Sequence, residues 1–171
     1  NLATPRLIKH NSKKNNTTEI KHTEEELIPI KKIYGVVVSI NYHDFLPHCL
    51  DSCEKIFEKV FVVTDEEDSI TPEICKNYNF VECIASDVFY KNNATINKGA
   101  GINKGLEKIP KKQDNWVLLF DSDIVFTRQA LQVISTNNFG INSLYSATRQ
   151  TISDFQSYQK FIDDRDFKDA S

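Results

Sequence analysis

Two aspartates separated by one residue form the motif in this chain most suited to chemistry. Asp121 and Asp123, with Ser122 between them, follow the apolar run Trp116-Val-Leu-Leu-Phe120. Such a run is typical of a strand covered on both faces, and parallel sheets bind ligands beyond the carboxyl ends of their strands. Hard divalent cations prefer carboxylate and phosphate oxygens. Although Asp-x-Asp pairs are also common in solvated loops, the position after this run predicts that the pair holds a metal against a diphosphate.

A second polar cluster, Thr64-Asp65-Glu66-Glu67-Asp68, follows the apolar run that starts at Lys59. A carboxylate at this strand end is well placed to accept hydrogen bonds from a ribose or a base edge. Asp65 lies nearest the strand and is the candidate for that role. A solvated acidic loop is the better interpretation for Glu66 and Glu67.

The third feature is the glycine-rich segment Asn97-Lys-Gly-Ala-Gly-Ile-Asn-Lys-Gly105. Backbone N–H groups and lysine charge at the start of a helix favour phosphate, so Asn97, Lys98 and Asn103 are candidates for donor binding. The segment has neither the spacing of a P-loop nor Gly-x-Gly-x-x-Gly. Close packing of this helix against a sheet explains the glycines equally well.

The elements that must position these residues alternate along the chain. Continuous apolar runs predict strands at 33–40, 59–64, 80–85, 116–120 and 143–147. Helical spacing predicts helices at 45–57, 71–77, 101–109, 130–135 and 155–162, the first with Asp44 as its N-cap. Strands joined by helices pair in parallel. The pattern predicts an α/β sandwich of the nucleotide-binding type with a mostly parallel central sheet.

Composition limits the function further. The formal net charge of −3 argues against nucleic-acid binding, which needs clustered basic residues. No apolar run approaches the roughly 20 residues that span a bilayer. Residues 1–31 are polar and predict a tail or linker, so residues 32–171 form the expected domain. The four cysteines contain no CxxC pair and are expected to be free thiols.

Taken together, these segments resemble glycosyltransferases with the GT-A fold. The resemblance covers roughly residues 33–150 and is to family-2-like enzymes, including those encoded by large DNA viruses. The segments that carry it, in order, are Val36-Val-Val-Ser-Ile-Asn-Tyr42, the helix around Leu46–Cys53, Val60-Phe-Val-Val-Thr-Asp65, Asn97–Leu106, Trp116–Ile124 and Leu144-Tyr-Ser-Ala-Thr-Arg149.

The resemblance implies a nucleotide-sugar site. The first strand and Asp65 would flank the nucleotide, and residues 97–105 would approach the diphosphate. Asp123 would bind Mn²⁺ or Mg²⁺ directly, while Asp121 would reach the ribose, or the metal through water, and Ser122 would contact the donor. It implies hexosyl or deoxyhexosyl transfer to a hydroxyl of a glycan or protein. We expect the cytoplasm as its location, or the secretory lumen if a signal or anchor has been removed.

The chain departs from the family after the strand that follows Asp-x-Asp. An acceptor-binding half usually lies there, but only residues 151–171 remain for it, so we expect an incomplete acceptor half. Four acidic residues are available as a catalytic base without any spacing that selects one: Asp154, Asp163, Asp164 and Asp166. Arg149 is expected to face the acceptor or a phosphate.

Two other functions remain open on sequence alone. A haloacid-dehalogenase-like phosphatase also carries Asp-x-Asp after a strand, and Val125 fits its pattern, but that family places the motif on its first strand. A non-catalytic nucleotide-sugar-binding domain is the other, because the segment after residue 150 is short.

Overall fold

The computed structural model describes residues 7–10, 27–28, 32–91, 94–112, 114–136, 138–140 and 143–163. The strands are β1 (Leu7–His10), β2 (Leu27–Ile28), β3 (Lys32–Val38), β4 (Lys59–Asp65), β5 (Val81–Ser86), β6 (Asn115–Asp121), β7 (Phe139–Gly140) and β8 (Leu144–Ala147). The helices are α1 (Leu46–Cys53), α2 (Ile70–Cys75), α3 (Lys98–Leu106), α4 (Arg128–Thr136) and α5 (Phe155–Asp163).

The centre of the structure is a four-stranded parallel sheet with the order β5-β4-β3-β6. Strand β3 lies between β4 and β6, and its Val38 is opposite both Val63 and Asp121. Helices cover both faces of a parallel sheet, so side chains on both faces are buried and the strands read as continuous apolar runs. The predicted α/β class and the parallel sheet are therefore confirmed.

Each face of the sheet packs against helices. On one face, Val37 and Val62 contact the α1 side chains of Leu46 and Leu50, all fully buried. On the other face, the cluster that includes Val36 packs against α3. A fully buried side chain of this size contributes about 1.5–3 kcal/mol. These two layers hold the carboxyl ends of β3, β4 and β6 in fixed register.

The segment predicted as a fifth strand does pair, but outside the central sheet. Strand β8 pairs antiparallel with β1, and β7 pairs antiparallel with β2. Strands β1 and β2 belong to residues 1–31, so two short parts of the predicted tail have strand structure. The other residues of that range lie outside the described part of the chain, and the boundary at residue 31 stays a prediction.

The N-terminal caps of two helices explain where those helices start. Asp44 is not the N-cap of α1: Phe45 occupies that position without a side-chain cap, and Pro47 lies in the first turn. Helix α3 starts at Lys98 rather than Gly101, because Asn97 caps it. Pro47 has no N–H, so the first turn of α1 has one fewer donor to satisfy.

All four cysteines are free, as expected, with Cys49, Cys53 and Cys75 buried. Within the described residues, none of the helices combines the length and the apolar character needed to cross a membrane.

Candidate functional site

The candidate site lies where three strands of the parallel sheet end. Asp121 is the last residue of β6 and pairs in register with Val38 of β3. Asp65 is the last residue of β4, two residues beyond Val63, which pairs with the same Val38. Strand spacing places β4 and β6 about 10 Å apart across β3. The sheet therefore presents Asp65 and Asp121 at one edge, on either side of β3.

The Asp121 carboxylate lies between two basic side chains. One of its oxygens pairs with the ammonium group of Lys98, the first residue of α3. The other oxygen is 3.7 Å from Nη1 of Arg149. The Asp121 side chain is 39% exposed, so ligand atoms have access to it. Lys98 and Arg149, both singled out from the sequence, are thus brought to the end of β6.

The backbone of Asp121 starts a tight turn that leads to Asp123. The Asp121 carbonyl oxygen accepts a hydrogen bond from the Ile124 amide at 3.2 Å. Ser122 is 4% exposed, whereas Asp123 is exposed. The turn therefore leaves Asp123 accessible and buries Ser122, whose role in donor binding stays a prediction.

A buried thiol forms a hydrogen bond with the first residue of this turn. The thiol of Cys49 in α1 donates to the Asp121 carbonyl oxygen at 3.7 Å. Burial raises the pKa of the Cys49 thiol well above its usual range, and the nearby Asp121 and Asp123 charges act in the same direction. The protonated thiol donates its hydrogen bond to the Asp121 carbonyl and joins α1 to the end of β6.

The two carboxylates fit a hard divalent cation in donor chemistry but not in number. Among the described residues, no group of three or more His, Cys, Asp or Glu side chains lies close enough to hold a metal. Asp121 and Asp123 alone would leave most of the coordination shell to other oxygens. A diphosphate and water supply oxygens of the required kind.

The start of α3 is capped by its own chain. The side-chain oxygen of Asn97 accepts a hydrogen bond from the Ala100 amide at 3.0 Å, and the Asn97 amide donates to the Phe89 carbonyl at 2.7 Å. Asn97 thus fixes the direction of α3 and directs the positive end of the helix dipole towards the strand ends. A direct contact of Asn97 with a donor stays a prediction.

Two of the glycines in α3 have a packing role. A Cβ on Gly105 would lie 2.5 Å from Cγ1 of Val36, and a Cβ on Gly101 would overlap the Phe89 ring. These two residues, one turn apart, form the surface on which α3 lies against the sheet. The packing alternative considered for this segment is correct for them.

Asn103 belongs to a different face of the same helix. It is exposed, two residues from Gly101 and two from Gly105, and therefore faces away from the sheet. Its part in donor binding stays a prediction. Of the possible bases, Asp154 caps α5 by accepting from the Ser157 amide at 2.8 Å, whereas Asp164 and Asp166 lie outside the described residues.

At the end of β4, Asp65 and Asp68 have different roles. Asp65 Oδ1 accepts from the Glu67 amide at 3.0 Å and closes a tight turn. Asp68 is 8% exposed and accepts hydrogen bonds from Thr64 Oγ1 at 2.8 Å and Thr71 Oγ1 at 2.7 Å. The acidic cluster thus contains one buried, fully bonded carboxylate that the sequence analysis did not single out.

The hydrogen bonds also determine the charge of Asp68. Burial would raise the pKa of its carboxyl, but the hydrogen bonds from Thr71, Thr64 and His43 outweigh burial and hold the pKa well below its usual range. Asp68 is therefore ionised. In the sequence, the pattern Asp68-x-x-Thr71-Pro72 is typical of a helix start and could have singled out Asp68. It lies within a run of acidic residues that are otherwise hard to tell apart.

The described residues also form a groove of about 210 Å³ away from this site. It is lined by Leu106, Ile109, Pro110, Lys111, Lys112, Asn115 and Val117. These residues lie at the last turn of α3 and the start of β6, which is the amino end of the sheet. The groove therefore does not include the carboxylates at the opposite edge.

Comparison with known proteins identifies the family of the chain. No curated protein is significantly similar to the chain. The family model described as Glycosyl transferase family 2 matches residues 36–136, which is more than half of the chain. The match runs from β3 through α4, so it includes all three strand ends of the site and the mostly parallel sheet expected of a GT-A fold. The chain belongs to glycosyl transferase family 2.

Proposed function

We propose that this domain transfers a sugar from a nucleotide-diphosphate-sugar donor to a hydroxyl group of a glycan or protein, with Mn²⁺ or Mg²⁺ bound at Asp121 and Asp123. Family membership supports the class of reaction and the nucleotide-sugar donor. The observation that carries the proposal is the meeting of Asp121 with Lys98 and Arg149 at the carboxyl edge of the sheet. Carboxylates for a metal and cations for phosphate oxygens are the two kinds of group that a metal-bound diphosphate requires.

The two carboxylates have different parts in this proposal. Asp123 is exposed beyond the turn and is the direct metal ligand, while Asp121 reaches the ribose, or the metal through water. A metal bound there would act as a Lewis acid that stabilises the charge of the departing nucleoside diphosphate.

The two basic residues are the proposed ligands of the diphosphate. Lys98 and Arg149 exchange the Asp121 carboxylate for phosphate oxygens when the donor binds. Both side chains are accessible, at 47% and 72% exposure, so the exchange requires no opening of the core. Asp65 is the proposed hydrogen-bond acceptor for the ribose or the base, on the other side of β3.

Calorimetric titration tests the proposal. Nucleoside diphosphates and nucleotide sugars are titrated into the protein with Mn²⁺, with EDTA, and into Asp123→Ala. We expect binding that requires Mn²⁺ and is lost in Asp123→Ala. The control is Asp87→Ala, an exposed carboxylate one residue beyond β5 that pairs with Lys91 at 2.7 Å. Binding to no nucleotide, or equal loss in the control, would overturn the assignment of the donor site.

Activity assays separate the alternatives. Transfer or slow hydrolysis of the bound nucleotide sugar supports an enzyme, whereas binding without either reaction favours a non-catalytic nucleotide-sugar-binding domain. Trapping of the protein by beryllium fluoride would favour the phosphatase.

A further inference from the structure

Asp68 is bonded to two separate loops of the site. From the first turn of α2, Oδ1 accepts from the amides of Ile70 and Thr71 at 3.1 and 3.0 Å. On the same side, Oδ2 accepts from the hydroxyls of Thr64 and Thr71. These bonds fix the end of β4 to the first turn of α2.

The remaining bonds of Asp68 cross to the loop between β3 and α1. His43 Nε2 lies 3.1 Å from Oδ1, and the Asn41 amide lies 3.5 Å from Oδ2, the longest of the set. Because the ionised carboxylate can only accept hydrogen bonds, Nε2 of His43 must carry the hydrogen of the shared bond. The carboxylate therefore connects the ends of two neighbouring strands.

The backbone at Asn41 shows why this connection matters. Asn41 has a φ of 59°, and it is the only described non-glycine residue with a positive φ. This left-handed conformation is uncommon, and asparagine is one of the residues that adopt it most readily. The hydrogen bond to its amide ties this left-handed residue to the Asp68 carboxylate.

We propose that Asp68 is a positioning residue that ties the loop after β3 to the loop after β4, so that both present their backbone and side chains to the nucleotide in one arrangement. Asn41 is three residues beyond Val38, and Asp65 is three residues before Asp68. The inference rests on the proposed function, which places Asp65, at the start of the second loop, against the ribose or the base of the bound nucleotide. Asp68 itself is 8% exposed and acts through its neighbours rather than by contact with the donor.

Two variants separate this role from the capping of α2. His43→Phe removes the side-chain bond to the β3–α1 loop and leaves the α2 bonds in place. Thr71→Val removes a hydroxyl bond on the α2 side and leaves His43 and Asn41 bonded. A structural role alone predicts that affinity in the folded protein is unchanged by both variants.

The experiment is a titration of nucleoside diphosphates with Mn²⁺ into wild type, His43→Phe and Thr71→Val, each below its unfolding temperature. We expect His43→Phe to weaken binding about tenfold, the scale of one hydrogen bond to a charged group. Thr71→Val should lower the unfolding temperature without changing affinity by more than about twofold. Equal affinities in all three proteins would overturn the inference while leaving the proposed function in place.

A double-mutant cycle excludes a direct contact of His43 with the nucleotide. If His43 acts through Asp68, the loss caused by His43→Phe is much smaller in an Asp68→Asn background. If the two losses add, His43 acts independently and the inference is wrong. Where Asp68→Asn does not fold, hydrogen exchange decides: His43→Phe should speed exchange at both loops, and Thr71→Val only at residues 65–71. Wild-type protein that binds no nucleotide would overturn the proposed function and this inference with it.

Discussion

Lys98 and Asp121 form an ion pair that joins the first residue of α3 to the last residue of β6. Arg149 approaches the second oxygen of the same carboxylate. In the proposed complex, a metal-bound diphosphate replaces each partner: phosphate oxygens take the two cations, and the ribose, or a water on the metal, takes the Asp121 carboxylate. The ion pair thus holds together the two kinds of charge that the proposed function assigns to the binding of a metal-bound diphosphate.

Replacement of Lys98 by methionine should change the binding of metal and of nucleotide in opposite directions. Affinity for a nucleoside diphosphate should fall about tenfold, because a charged hydrogen-bond donor to phosphate is lost. Affinity for Mn²⁺ alone should rise, by no more than about fivefold, because an exposed ion pair contributes at most about 1 kcal/mol. Separate calorimetric titrations of each ligand measure the two effects.

Lys104→Met is the matched control for this prediction. Lys104 lies on the same helix and pairs with Glu107 at 3.2 Å rather than with Asp121. Its loss changes the net charge equally, so a general electrostatic effect would appear in both variants. Lower affinity for Mn²⁺ in Lys98→Met would contradict a competition between Lys98 and the metal.

The sequence was sufficient to predict the parallel sheet because burial on both faces leaves a continuous apolar run at each central strand. It also placed Asp65 and Asp121 at strand ends, since the end of a run is visible. It did not reveal that β8 pairs with β1, because antiparallel pairing with a short distant segment leaves no local pattern.

The assignment of roles within polar clusters was less accessible. Asp65, Glu66, Glu67 and Asp68 differ little as sequence, and only the fold shows that one carboxylate is buried among hydroxyls and amides. Likewise, the glycines of α3 suggested phosphate, whereas Gly101 and Gly105 allow close approach to the sheet. Such distinctions depend on tertiary packing.

The substitution Gly105→Ala should destabilise the protein, although alanine favours helices more than glycine does. The new Cβ would lie 2.5 Å from Cγ1 of the fully buried Val36, so α3 must shift away from the sheet. Overpacking of this kind costs about 1–3 kcal/mol. Gly99→Ala is the control: its Cβ meets only Asn97 Oδ1 at 3.7 Å, so stability should rise by up to about 1 kcal/mol. Urea unfolding measures the stability of both variants. Equal destabilisation would show that Gly105 is no closer to the sheet than Gly99.

The substitution Ser39→Ala should stabilise the protein. Ser39 follows β3, is fully buried, and its hydroxyl has no hydrogen-bond partner within the part of the chain that the structure describes. A buried unsatisfied polar group costs about 1–3 kcal/mol, so its removal should raise the free energy of unfolding by about 1 kcal/mol. Ser52→Ala is the contrasting variant, because its hydroxyl donates to Cys49 and accepts from the Phe126 amide. That variant should destabilise, and a loss of stability in Ser39→Ala would indicate that its hydroxyl is bonded in solution.

The stability contributed by Asp68 should depend on pH with a defined sign. Its folded pKa lies below the unfolded value of about 3.9, because the hydrogen bonds favour the ionised form more than burial opposes it. A lowered folded pKa gives stability that is fully present above the unfolded pKa and is lost as the pH falls from about 4 towards the folded pKa. Asp68→Asn carries no ionisable group at this position. It should therefore be less stable than wild type at pH 7, by about 2 kcal/mol, and the difference should shrink below pH 4. Urea unfolding at pH 7, 5 and 3 measures this difference in stability between wild type and Asp68→Asn. A difference that stays constant over this pH range would mean that the charge of the carboxylate contributes nothing to the hydrogen bonds that hold the two loops.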